Sequence, residues 1–247
     1  MLPTVVLIHG SGHSSLIWDD VVAKLDGPAL AVDLPGRRRR PADLTEGTIE
    51  ASSAAAASDV EESGAHHVVL VGHSSGGLIL PSLAARLGPR VCHLVFVAGL
   101  IARDGHSVSE VISPDDPDSM LGTRDALRQR YRGTTFGGLS HGEAPIETDL
   151  CVTEDVRAVG SIESLTLMYQ PVSWLGVPSS MPRAFVRCLA DPIQPRAMQA
   201  QLIESAGADE VFDIDADHTP AVSRPDELAA IVNEVAARYA VNHPSGP

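Results

Sequence analysis

The residues with the clearest chemical potential are those of the motif Gly72-His73-Ser74-Ser75-Gly76. Four apolar residues, Val68 to Val71, precede the motif, and a helical pattern of apolar residues follows it. This order predicts a buried strand that ends in a tight turn and opens a helix. Glycine on both sides of the serine lets strand and helix approach closely, and the serine hydroxyl stays exposed at the tip of the turn. We predict that Ser74 is a nucleophile; the alternative is a glycine-rich turn whose serine has no chemical role.

A serine hydroxyl becomes a good nucleophile when a base accepts its proton and an acid orients that base. We predict His218 as the base, because it follows a predicted strand and precedes the last predicted helix. The alternative is an exposed loop histidine. We predict Asp191 as the acid, since it directly follows a strand-like run. Asp104, after the preceding core strand, is the alternative acid, and Asp217 is disfavoured because adjacent side chains usually diverge. In this arrangement the acid holds the imidazole in the correct tautomer.

Backbone N–H groups beside the nucleophile are suited to stabilise a developing oxyanion. We predict that the N–H groups of Ser75 and of Ser11 form this oxyanion hole, because Ser75 follows the nucleophile and Ser11 lies in the glycine-bearing loop after the first strand. An apolar substrate pocket with few charged groups is also predicted. The residues predicted to line it are Gly10, His13, Tyr131, Met168, Tyr169 and Trp174. Four of them, Tyr131, Met168, Tyr169 and Trp174, are equally compatible with an ordinary packed core.

Strand-like and helix-like segments alternate along most of the chain, which predicts a mostly parallel sheet covered by helices on both faces. Ligands of such folds bind at the carboxyl ends of the strands. The predicted strands are Thr4–Ile8, Ala29–Val32, Val68–Val71, Val91–Ala98, Ala184–Leu189 and Glu210–Ile214. The predicted helices are Ile17–Leu25, Thr48–Ser63, the helix after the motif as far as Leu87, Pro195–Ser205 and Pro225–Tyr239.

The alternation lapses between residues 104 and 182, where proline and glycine interrupt short segments. We predict that residues 104–182 form a cap inserted into a core of residues 1–103 and 183–247. Three short cap helices are predicted, over Thr123–Tyr131, Glu154–Val159 and Ser161–Met168.

The composition bounds the partners of the protein. The 247 residues carry a formal net charge of −14, which argues against binding to nucleic acid or to an anionic membrane surface. Three scattered cysteines do not suggest a disulfide framework, and no metal-ligand spacing or phosphate-binding loop is present in the sequence. We therefore expect a cytoplasmic protein with a small-molecule substrate and no cofactor or metal. The sequence is compatible with a homodimer. The run Arg37–Arg40 is expected to be a solvated loop, with an anchor for an anionic substrate as the alternative.

The motifs resemble those of the α/β-hydrolase superfamily and, within it, of the plant methylesterase and hydroxynitrile lyase group. The segments that carry the resemblance are Val6–Gly10 with His13 and Trp18, Val71–Gly77, Leu150-Cys151 with Glu154-Asp155, and Ala216–His218. The resemblance implies an α/β-hydrolase fold and one of two activities, ester hydrolysis or cyanohydrin cleavage, on the same triad. The plant-type lyases carry a threonine after the loop histidine and a lysine after the catalytic histidine. Gly10 and Thr219 stand at those places here, which favours the esterase.

Taken together, these features predict a serine hydrolase that cleaves small carboxylic esters through an acyl-enzyme on Ser74. One alternative is lyase-like or other non-hydrolytic carbonyl chemistry on the same three residues. Another is a small-molecule receptor built on a hydrolase scaffold.

Overall fold

The structure, a computed structural model, describes residues 1–37, 40, 42, 47–115 and 165–242. Their strands are β1 (Thr4–Ile8), β2 (Ala29–Val32), β3 (Val68–His73), β4 (Val91–Val97), β5 (Arg183–Cys188) and β6 (Glu210–Ile214). All pairings between neighbouring strands are parallel, and the strand order is β2-β1-β3-β4-β5-β6. The predicted fold class, a parallel sheet with helices on both faces, is confirmed.

Helices connect the strands and cover both faces of the sheet. In the described part of the chain the α-helices are α1 (Asp19–Val22), α2 (Ile49–Ser63), α3 (Leu80–Leu87), α4 (Val108–Ile112), α5 (Arg196–Ala206), α6 (Pro220–Ser223) and α7 (Pro225–Asn242). Short 3₁₀ helices span Ser15–Trp18, Ser74–Ile79, Gly88–Arg90 and Leu165–Tyr169. The predicted helix Ile17–Leu25 is therefore a 3₁₀ turn followed by the short α1. The four-residue α6 was not predicted, because it is a single turn that begins at a proline.

The central strands are buried on both faces, which explains their continuous apolar sequence. Successive side chains of a strand point to opposite faces, so β1 contributes Val6 and Ile8 to one hydrophobic cluster and Val5 and Leu7 to the other. The first cluster packs under α2, α3 and α5, and the second packs under α1 and α7. A sheet held from both sides in this way gives the loops at its carboxyl edge a rigid support.

The backbone before residue 116 is hydrogen-bonded to the backbone after residue 164. The N–H of Gly105 donates to the carbonyl of Val172 over 2.9 Å, and the N–H of Val172 donates to the carbonyl of His106 over 2.9 Å. Such adjacent ends suit an inserted cap, although the boundaries 104–182 remain a prediction. The predicted helices Thr123–Tyr131 and Glu154–Val159 lie outside the described residues. Within the described part of Ser161–Met168, the observed helix is Leu165–Tyr169.

The solvated loop expected for the arginine run does not hold for Arg37 and Arg40, the two of its residues that the structure describes. Arg37 is buried, and its Nε donates to the carbonyl of His13 over 2.7 Å. Arg40 is paired with Asp59 of α2. Both guanidinium groups thus bind partners within the protein, which does not support the alternative of an anchor for an anionic substrate. Arg38 and Arg39 lie outside the described residues.

In the described part of the chain, no helix is both long and apolar enough to cross a membrane.

Acid stability should depend on histidines that the fold keeps neutral. The half-buried ring of His93 in β4 has its pKa lowered to about 4, first by burial and then by Arg238, against the opposing effect of Glu210. The unfolded chain protonates this histidine near pH 6.5. Because the unfolded state then binds the extra proton, the free energy of unfolding falls as the pH falls between these two values.

We expect His93→Gln to flatten this dependence by about 1 kcal/mol per pH unit between roughly pH 6 and pH 5. Urea denaturation of the wild type and the variant across that range measures the two slopes. Equal slopes would show that His93 takes up its proton equally in both states.

Candidate active site

The motif around Ser74 forms a sharp turn between β3 and the helix Ser74–Ile79. A Cβ added to Gly76 would lie 2.7 Å from the carbonyl oxygens of both Ile8 and His9, and one added to Gly72 would lie 2.9 Å from the carbonyl carbon of Gly76. Only glycine therefore allows the helix to approach β1 and β3 so closely. Ser74 itself has φ +49°, a left-handed conformation that is strained for a residue with a side chain. The predicted turn is confirmed in its conformation.

Three predicted residues meet at the carboxyl edge of the sheet. Ser74 Oγ lies 2.9 Å from His218 Nε2, and His218 Nδ1 lies 2.7 Å from Asp191 Oδ2. A carboxylate oxygen can only accept, so Nδ1 of the neutral ring carries the proton and Nε2 offers its lone pair to the serine hydroxyl. The Asp191 side chain has no exposed surface, and Ser74 is 9% exposed. The set is thus linked by hydrogen bonds and largely buried, with small exposed fractions at Ser74 and at His218.

The loop that carries Asp191 holds the carboxylate in place. Asp191 Oδ1 accepts from the N–H groups of Ile193 and Gln194 at 2.7 and 2.8 Å, which leaves Oδ2 for His218. The buried Gln199 of α5 bridges the same loop: its Nε2 donates to the carbonyls of Cys188 and Gln194, and its Oε1 accepts from the Cys188 N–H. These contacts fix both the position and the rotamer of the acid.

The alternative acids bind elsewhere. Asp104 accepts a hydrogen bond from the N–H of Trp174 at 2.8 Å. Asp217 accepts from the N–H of Thr219 and from the hydroxyl of Ser223, so it stabilises the start of α6. Neither carboxylate is the partner of His218.

His73, the residue before the nucleophile, supports the base in a way that the motif did not reveal. Its Nε2 lies 2.8 Å from the backbone carbonyl of His218, so Nε2–H is the donor. The ring is fully buried, and burial lowers the pKa of His73 well below its ordinary value, an effect that positive charge on His218 or His13 would increase. A neutral His73 therefore holds the backbone of the base. Its position in the motif was the only sequence signal.

The predicted oxyanion-hole residues lie beside each other. Ser75 is the second residue of the helix Ser74–Ile79, and the first N–H groups of a helix have no carbonyl partner within it. The hydroxyl of Ser11 donates to the hydroxyl of Ser75 over 2.8 Å, which brings the loop after β1 against the turn. Gly10 lies directly against the nucleophile: a Cβ added there would lie 2.8 Å from the Cβ of Ser74.

The remaining predicted pocket residues have different surroundings. His13 is buried with its ring in edge contact with His73, at 5.7 Å between centroids. Met168 and the buried Tyr169 belong to the 3₁₀ helix Leu165–Tyr169, which contacts the helix that begins at Ser74. Tyr131 lies outside the described residues.

Trp174 packs against the side chains of Arg183 and Phe96. Its Nε1 donates to the carbonyl of Ala102, and the Arg183 guanidinium stacks on its ring at 4.2 Å.

Comparison with known proteins agrees with this architecture. A model of the alpha/beta hydrolase family matches residues 5–231, and the chain belongs to this family. Norfluorocurarine synthase 2 from Strychnos sp is 28% identical over 93% of this chain and 94% of its own. Methylesterase 3 from Arabidopsis thaliana is 24% identical over 96% of this chain and 97% of its own. The predicted resemblance to the plant methylesterase group is confirmed.

A solved structure extends the comparison to the fold. An extracellular α/β-hydrolase from a Paenibacillus species superposes with a TM-score of 0.74 at 17% identity, and the match covers 95% of this chain and 99% of that one. At this identity the similarity concerns the fold alone.

The geometry predicts a large difference between two aspartate variants. Asp191→Asn should lower kcat for ester cleavage by about 10⁴-fold, because an amide beside Nδ1 favours the wrong imidazole tautomer. Asp104→Asn is the matched control and should stay close to wild type. Steady-state kinetics and thermal unfolding of both variants measure the effects. A larger loss in Asp104→Asn than in Asp191→Asn would contradict the assignment of the acid.

Proposed function

We propose that the protein cleaves small carboxylic esters through a Ser74–His218–Asp191 triad and an acyl-enzyme intermediate. The coarser statement stands on the comparisons: the chain is a carboxylic ester hydrolase of the α/β-hydrolase family. The observation that carries the finer proposal is the continuous hydrogen-bond chain from Ser74 Oγ through His218 to Asp191, at 2.9 and 2.7 Å.

In the first half-reaction, His218 Nε2 takes the hydroxyl proton while Ser74 Oγ bonds to the ester carbonyl carbon. Asp191 stabilises the imidazolium that forms. The carbonyl oxygen becomes an oxyanion between the N–H groups of Ser75 and Ser11. Collapse of this intermediate breaks the bond to the alcohol, which leaves with the proton from His218. The acyl group remains on Ser74.

In the second half-reaction, water replaces the alcohol. His218 takes a proton from a water molecule while the water oxygen bonds to the acyl carbon. The bond between the acyl carbon and Ser74 Oγ then breaks. The serine recovers its proton from His218 and the carboxylic acid leaves. One base thus serves both halves, which requires that it stays within reach of the serine oxygen. The hydrogen bond from His73 to the His218 carbonyl supports this requirement.

A second candidate function is non-hydrolytic chemistry at a carbonyl group. The name of norfluorocurarine synthase 2 favours it, because this full-length relative is described as a synthase and not as a hydrolase. The plant-type lyase is disfavoured. A side chain at Gly10 would press on Ser74, so a threonine there requires the turn to shift. Thr219, where the resemblance implies a lysine, is 3% exposed, and a buried cation without a partner is costly.

Ser74→Ala should leave the fold intact and lower kcat for a p-nitrophenyl ester by roughly 10⁴–10⁶-fold, since the nucleophile is removed. Active-site titration and steady-state kinetics measure the loss. Ser82→Ala, on α3 away from the triad, is the matched control. A Ser74 variant that kept a tenth of wild-type turnover would exclude Ser74 as the nucleophile.

The unmodified protein should hydrolyse a short p-nitrophenyl ester well above background and release cyanide from mandelonitrile at or near background. The reason is the lack of a cation directly after His218, where Thr219 stands. Both assays use the same enzyme preparation. The Ser74→Ala variant serves as the blank in each assay. Fast cyanide release without ester turnover would contradict the esterase function.

A further inference from the structure

Two serine hydroxyl groups join the two loops that border the nucleophile. Ser11 follows β1, and Ser75 follows Ser74, so 64 positions separate them in the chain. The Ser11 hydroxyl donates to the Ser75 hydroxyl over 2.8 Å. Ser75 is 3% exposed, and Ser11 is partly exposed. The bond therefore forms at the inner end of the loop, where bulk water has little access to compete for the Ser75 oxygen.

We propose that this hydroxyl pair is a positioning clasp that sets the separation of the two oxyanion-binding N–H groups. The inference rests on the proposed function, in which the backbone N–H groups of the same two residues bind the oxyanion. Neither hydroxyl is assigned a proton transfer. Their effect is on geometry, and it acts through the main chain of Ser11 and Ser75.

The contact joins the loop after β1 to the turn at the nucleophile. Gly12, in that loop, has φ +74°, a left-handed conformation that glycine adopts without strain. The N–H of His13 donates to the carbonyl of Gly10 over 3.3 Å, which closes the loop around Ser11 and Gly12. Ser75 is held by the turn, in which Gly76 lies against the carbonyls of Ile8 and His9. The hydrogen bond from Ser11 to Ser75 links this loop to the turn, so it couples the position of the Ser11 N–H to that of the turn.

Position matters more to an oxyanion hole than to substrate binding. An N–H group stabilises the transition state only when it points to the place where charge develops, and small displacements reduce its effect steeply. A change in the clasp should therefore lower kcat while the KM for a neutral ester changes little. Removing either hydroxyl breaks the same bond, so the second removal should add nothing.

The experiment is a double-mutant cycle with Ser11→Ala, Ser75→Ala and the combined variant. We expect each single variant to lose about tenfold in kcat with KM within about twofold, and the double variant to lose about tenfold as well, not the hundredfold of independent effects. The affinity for a trifluoromethyl ketone, whose hemiketal places an oxyanion in the hole, should fall by the same factor as kcat/KM. Ser11→Thr, which keeps a hydroxyl, should restore most of the activity.

The Ser53–Ser82 pair is the matched control. Its two hydroxyl groups lie 2.9 Å apart and join α2 to α3. The pair has the same chemistry as the Ser11–Ser75 pair, but it lies away from the triad. The corresponding alanine cycle should change thermal stability and leave kcat at the wild-type value. Wild-type kcat in folded Ser11→Ala and Ser75→Ala, or multiplicative losses, would overturn the clasp. Ser74→Ala tests the proposed function separately, because its result does not depend on either hydroxyl.

Discussion

The close approach of the nucleophile turn to the first strand constrains the rest of the site. Gly76 lies so near the carbonyls of Ile8 and His9 that any Cβ would overlap them, and this proximity holds Ser74 at φ +49°. The strain of such a conformation, of order 1–3 kcal/mol, persists only where the surrounding packing imposes it. Here the imposing structure is the parallel sheet, buried on both faces, which places the loops after β1, β3, β5 and β6 along one edge.

Around this turn, several buried polar groups have specific hydrogen-bond partners within the fold. Asp191 Oδ1 is bound by two N–H groups of its own loop, Gln199 ties that loop to β5, and His73 donates to the backbone of His218. Because these groups are buried, each hydrogen bond is strong and a missing partner is costly. Burial also raises the pKa of Cys188 to about 12, with the charges of Asp191 and Asp217 adding to it, so this cysteine stays an unreactive thiol.

The sequence predicted the features that follow from local pattern. Short apolar runs bounded by turn residues predict the six strands, and the glycines at 72 and 76 predict the turn at Ser74. His218 and Asp191 could be selected because each follows a strand. What local pattern could not predict is contact between distant segments. The bond from His73 to His218 joins residues 145 positions apart, and that from Ser11 to Ser75 joins residues 64 apart. The burial of Arg37 could not be predicted because its partner, the carbonyl of His13, lies in another loop. The packing of Trp174 against the Arg183 side chain is likewise a contact between distant segments.

The proposed ester hydrolysis depends on a covalent acyl intermediate at Ser74, which acid-quench mass spectrometry detects directly. The wild-type enzyme is mixed with p-nitrophenyl acetate, quenched within its first turnover and digested. We expect a single acetyl group on the peptide that contains Ser74, formed as fast as p-nitrophenol is released and lost at the steady-state turnover rate. Acetyl on a different residue, or a first-turnover burst of p-nitrophenol with no acetylated peptide, would contradict an acyl-enzyme at Ser74.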